Sequence, residues 1–143
     1  MKHLTVFVLV LGSTLLLPSG SSQLSAQVCK DDEGMVADYK KAVVDLVETV
    51  NKESLVDFQR AYHQRSLTTK LTLYATMVDG LINCLQKRAN DPTTLKPDAD
   101  AAKAKIETYS KLKDKIKQDR DALKAAQTDK DAKTLIEKFS YSG

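Results

Sequence analysis

Apolar residues in this chain recur at steps of three and four, a spacing that commits most of its length to helix. The clearest series is Leu67, Leu71, Tyr74, Val78, Leu81 and Leu85, which falls on one helical face. A second, Ala102, Ile106, Tyr109, Leu112, Ile116 and Leu123, traces a long amphipathic helix to about Ala126. Val36, Tyr39, Val43, Leu46 or Val47, and Val50 give a first helix, and Leu135, Ile136 and Phe139 a short last one. No run alternates apolar and polar residues as a half-buried strand does, no Asn-Gly pair marks a hairpin, and glycine and proline are sparse. The fold expected is all-α, a single-domain bundle of four to five helices.

Polar residues punctuate these series. Asp31, Asp32 and Glu33 stand just ahead of Val36, where carboxylates suit the positive end of a helix dipole, so they are read as its cap. Ser54 with Asp57 reads as a capping box opening a second helix, along which Leu55, Phe58 and Tyr62 face one way. The step of five from Tyr62 to Leu67 fits no single stripe and predicts a kink or short break near Arg65 to Ser66, with one long bent helix as the rival. Asn90 to Pro97, with its Asp-Pro and Lys-Pro steps, is the clearest loop, and Asp98 is placed to cap the long amphipathic helix beyond it. Thr128 with Asp131 repeats the capping box, and a Ser-Gly end frays. Gly80 shares a side with Met77, Leu81 and Cys84. It either lets another backbone approach, the segment around Cys29 being the candidate, or is simply tolerated there.

The start of the chain carries an address. Lys2 and His3 precede fourteen uncharged residues, Leu4 to Leu17, which Pro18 ends. That run is too short for a bilayer span and reads as a signal-peptide core. Cleavage after Ser22 puts Gly20 and Ser22 at the two small-residue positions; cleavage after Ala26 is the alternative. The expected organisation is a removable signal at residues 1–22 and a secreted helical domain at 23–143. That domain carries 21 basic and 19 acidic side chains and no Asn-x-Ser/Thr sequon. Along an oxidising route Cys29 and Cys84, the two cysteines present, are expected to pair, inert buried thiols being the other reading.

Signals of chemistry are few. The mature chain has one histidine, His63, which reads as a solvated helix position, and no glycine loop for phosphate, nucleophile elbow, dinucleotide fingerprint or calcium loop occurs. The expectation is a protein that is no enzyme and needs no cofactor or metal. Charge placement says more than net charge: residues 30–60 sum to −3 and residues 103–124 to +4. Lys113, Lys117, Arg120 and Lys124 form a basic ridge beside the apolar stripe, the candidate partner-binding site. The ordinary alternative is a solvated face partly answered by the acidic first helix. No aromatic residues interleave with these bases, so nucleic acid is not the expected partner, and no later stretch approaches membrane length. A second function class is carriage of a small apolar ligand, with Tyr39, Phe58, Tyr62 and Tyr74 as lining or, more ordinarily, as core filling.

The layout of a signal peptide, a helical chain of about 120 residues, the helix Thr72-Leu-Tyr-Ala-Thr-Met-Val-Asp-Gly-Leu-Ile-Asn-Cys84 and the closing Leu135-Ile-Glu-Lys-Phe139 resembles the anopheline salivary albicin and anophensin family. The resemblance spans essentially the mature chain. It implies a blood-feeder's salivary inhibitor that evades host defence by binding plasma-cascade proteins. Albicin-like members block the alternative complement pathway at its convertase, and anophensin-like members block kallikrein–kinin contact activation. No inhibitory residue is carried over, because no family motif maps onto this chain residue by residue.

Overall fold

The computed structural model describes residues 21–141, with side chains from Cys29 onward. The expected signal segment lies outside that range except for the backbone of Ser21 and Ser22. The elements are α1 (Ser21–Asn51), α2 (Arg60–Asn90), α3 (Lys96–Ala125) and α4 (Asp129–Glu137), with no strand among the described residues. The protein is all-α, one domain, closed by a Cys29–Cys84 disulfide whose Cα atoms lie 5.8 Å apart.

α2 is the spine. Leu67, Leu71, Tyr74, Val78 and Leu81 on it are fully shut from water, because α1 packs on one side and α3 on the other. α1 contributes Val36, Val43, Val47 and Val50, α3 contributes Ala102, Ile116 and Leu123, and α4 lays Ala132 and Ile136 across the end where the other helices meet. α1 and α3 make no close backbone approach to each other, so the bundle is a three-helix layer with α4 as a cover, and a channel remains between its outer helices.

Three expectations are corrected. Asp31, Asp32 and Glu33 do not cap α1, which extends back to Ser21; Glu33 instead reaches Lys105 Nζ on α3 at 2.6 Å. The kink near Arg65 to Ser66 does not exist, since α2 is continuous for 31 residues, about 46 Å at 1.5 Å per residue. The misfit that suggested it came from placing Tyr62 in the stripe. His63 holds that position, four before Leu67, at 5% exposure, and Tyr62 points to solvent at 65%. His63 is thus a core residue and not a solvated one. The alternative left open at Gly80 is decided as well: apart from its chain neighbours and the local backbone of α2, no atom lies within 4 Å of where its Cβ would stand, so this glycine is tolerated and admits no neighbouring backbone.

The Ser54–Asp57 box forms, with Asp57 N–H donating to Ser54 Oγ at 3.3 Å, but it closes a turn and not a helix. α2 starts later, after Gln59, with no side-chain cap. Asp98 lies in the first turn of α3, whose N-cap position is Leu95, and pairs with Arg88 at 3.6 Å. Thr128 does cap α4, accepting from Asp131 N–H at 3.1 Å.

Helix ends elsewhere are satisfied by other elements. Gln64 Nε2 on α2 donates to the carbonyls of Leu123 and Ala126 at the end of α3, each at 2.8 Å. Lys133 on α4 reaches the carbonyls of Val50 and Asn51 at the end of α1. The N-terminus of α2 and the C-terminus of α3 therefore share one end of the bundle.

Candidate functional site

The basic ridge is real as a row on α3, but its members differ. Lys113 Nζ is bound to the Asp79 carboxylate of α2, and that hydrogen bond holds the Asp79 carboxyl below its usual range, with Lys117 adding to the field. Arg120 Nε donates to Asp121 Oδ1 at 2.9 Å, which lowers the Asp121 carboxyl in the same way. Lys117 and Lys124 are the exposed members. The acidic partner across the interface is thus α2 and not α1, whose link to α3 runs through Glu33 and Lys105, off the ridge.

A second feature escaped sequence reasoning. The connector 52–59 is pinned from beneath by His63. Its Nε2 lies 2.8 Å from Glu53 Oε2 and its ring stacks on Phe58 at 5.0 Å between centroids. On top of this fixed turn Val56 is 95% exposed, beside half-exposed Leu55, and Tyr62 stands edge-on to His63 on the first turn of α2. Such a tip is an apolar patch presented by an ordered backbone, at the end of the bundle toward which Lys117 and Lys124 run. The sequence signal is Leu55-Val56, two apolar residues next to each other in an otherwise largely polar connector, where the Ser54–Asp57 box predicts a helix that does not form.

The third feature is the channel between α1 and α3, about 580 Å³ in volume and open on its outer side. Tyr74 and Val36 form its floor, Tyr109 and Leu112 a wall, and Tyr141 one end. Tyr74 is fully buried and stands edge-on to Tyr141, with ring centroids 5.9 Å apart. The Tyr74 hydroxyl has no hydrogen-bond partner, and burial, with the neighbouring Tyr109, pushes it up to about 12, so it remains a proton donor at neutral pH. Burial also raises the Tyr141 hydroxyl, with Asp119 beside it adding to the rise without closing a hydrogen bond of normal geometry. Of the four aromatics named as possible cavity lining, Tyr74 alone lines this channel; Phe58 belongs to the connector and Tyr62 to the surface.

His63 has the carboxylate partner of a catalytic histidine on Nε2, yet its Nδ1 is buried with no hydrogen-bond partner, so no nucleophile is bonded to the ring's other nitrogen. Among the described residues no three His, Cys, Asp or Glu side chains gather as metal ligands would, and no helix is long and apolar enough to cross a membrane. Comparison with known protein families, curated proteins and solved structures finds no match to this chain.

Proposed function

We propose that this chain is an exported salivary inhibitor of a host plasma cascade, acting by binding, with the alternative complement convertase as its first target. The observation that carries the binding role is the connector tip, where Val56 is held out in water at 95% exposure on a turn locked by Glu53, Phe58 and His63. A surface ordered before contact loses less entropy when a partner covers it. An exposed aromatic such as Tyr62 is the type of residue that anchors protein interfaces. Lys117 and Lys124 add a basic margin that speeds encounter with an acidic partner.

The target class rests on the resemblance of Thr72–Cys84 and Leu135–Phe139 to the albicin and anophensin family, and export rests on the signal at residues 1–22. The Cys29–Cys84 disulfide accords with the oxidising route that export provides. A haemolysis assay of the alternative pathway, run beside a contact-activation assay, tests the reading. Inhibition of lysis is expected, and Val56→Ser with Tyr62→Ser should weaken it by at least about tenfold, with Lys117→Gln and Lys124→Gln giving a smaller, salt-dependent loss. Inhibition of contact activation alone would move the target to the kallikrein–kinin branch. Inactivity in both assays would end the proposal.

A further inference from the structure

We propose that the cleft over the Cys29–Cys84 disulfide, bordered by α1, α2 and α3, binds a small organic monocarboxylate. It lies at the end of the bundle away from the connector tip and uses none of the contact residues assigned to the inhibitor reading.

The staple assembles this cleft. Lys30 follows Cys29 on α1, and Arg88 stands one turn beyond Cys84 on α2, so joining the two cysteines brings a cation from each helix to one place. α3 adds Asp98 and Lys105, which lie two turns apart on one face, and α1 adds Glu33. The lining between these charges is apolar and mostly small: Cys29, Leu85, Ala101 and Ala102. It leaves a volume of about 340 Å³, within the range of small-ligand sites, about 300–1,000 Å³.

Charge selects a monoanion. Lys30, Arg88 and Lys105 face Glu33 and Asp98 around the cleft, a net +1. Lys105 is taken by Glu33 at 2.6 Å. Arg88 meets Asp98 through a single contact, Nη2 to Oδ2 at 3.6 Å. A guanidinium that fully engages a carboxylate does so through two parallel hydrogen bonds, so the fork of this partly buried arginine is left open. Lys30 takes part in no ion pair or hydrogen bond among the described residues.

A ligand carboxylate that meets Lys30 and the open edge of Arg88 therefore answers the surplus charge and breaks no existing pair. The two acids set the opposite limit. A second negative charge on the ligand would face Glu33 and Asp98, so a phosphate monoester gains nothing over a carboxylate.

The test is titration of the isotope-labelled protein with sodium benzoate at low salt, followed by its amide NMR shifts. Benzamide, which keeps the ring and loses the charge, and phenyl phosphate, which adds a charge, are titrated beside it. Saturation at one benzoate per chain is expected, with shifts grouped at Lys30, Arg88 and the first turns of α3. Benzamide should bind at least about tenfold more weakly and phenyl phosphate no more tightly than benzoate. Lys30→Gln should weaken benzoate at least about fivefold, whereas Lys117→Gln, which removes an equal charge elsewhere on the molecule, should leave it unchanged. Ala101→Trp, at an exposed position on the wall of the cleft, should abolish binding while leaving helicity intact. Absence of saturable binding, equal binding of benzoate and benzamide, or tighter binding of phenyl phosphate would each overturn the proposal. So would full binding in Lys30→Gln or Ala101→Trp, or a loss in Lys117→Gln as large as that in Lys30→Gln.

Discussion

Tyr74 is a core residue with an unmade contact: its ring is sealed from water, and its hydroxyl, buried as well, finds no hydrogen-bond partner. That burial has a measurable pH consequence. The unfolded tyrosine ionises near pH 10, whereas the folded one, pushed up by burial and then by Tyr109, does so at about 12. A folded pKa above the unfolded one means stability that is complete below about pH 10 and is lost as pH rises toward 12, because only the unfolded chain gains by ionising in that window. Two pKa units correspond to about 3 kcal/mol. Urea unfolding at about pH 9 and again near pH 12 should show a loss of this order beyond that of Tyr74→Phe, whose curve should be flatter. Tyr141 shifts in the same direction and adds to the loss in both proteins. His63 shows the complementary lesson. A polar residue occupies a core slot in α2 because Glu53 and Phe58, from a connector ten and five residues earlier, come back to satisfy one face and one nitrogen of its ring.

At the scale of elements, one motif had two outcomes. Ser54 with Asp57 and Thr128 with Asp131 make the same reciprocal side-chain contact, yet only the second opens a helix at once. After Thr128 come Ala132, Leu135 and Ile136, which find the core, whereas after Ser54 come Leu55 and Val56, which find none, so the local turn closes and the chain waits for Arg60. α2 gains its length from the opposite situation, an unbroken stripe buried from His63 to Leu85. The exposed glycine in that helix is an unexploited position. Gly80→Ala should stabilise the protein by about 1 kcal/mol, since an alanine meets nothing within 4 Å and loses less backbone freedom on folding. A rise in the urea midpoint without a change of slope is the expected readout; destabilisation would mean that space is needed there.

For the whole molecule, the arrangement is α1 and α3 hung on α2, with a small fourth helix reaching back to the end of the first. The Cys29–Cys84 staple ties α1 to α2 across a loop of 55 residues. In the chain-entropy account its loss costs about 4 kcal/mol. Cys29→Ala with Cys84→Ala should therefore lower the unfolding free energy from urea titration by that order. Retained stability in the double variant would show that helix packing alone holds α1 in place.

The sequence by itself determined that this chain is helical, where the stripes from Leu67 to Leu85 and from Ala102 to Leu123 run, that a loop lies between Asn90 and Pro97 although the helices reach Asn90 and Lys96, the cap at Thr128 and the pairing of the cysteines. All of these depend on contacts near in sequence, or on there being a single way to pair two thiols. Only the tertiary structure decided that His63 and not Tyr62 enters the core, that Lys113 is spent on Asp79, that Val56 projects into water and that Tyr74 faces a channel. Each of those turns on which helix lies beside which. That is set by the combined burial of three faces at once, a quantity that no local pattern of residues contains.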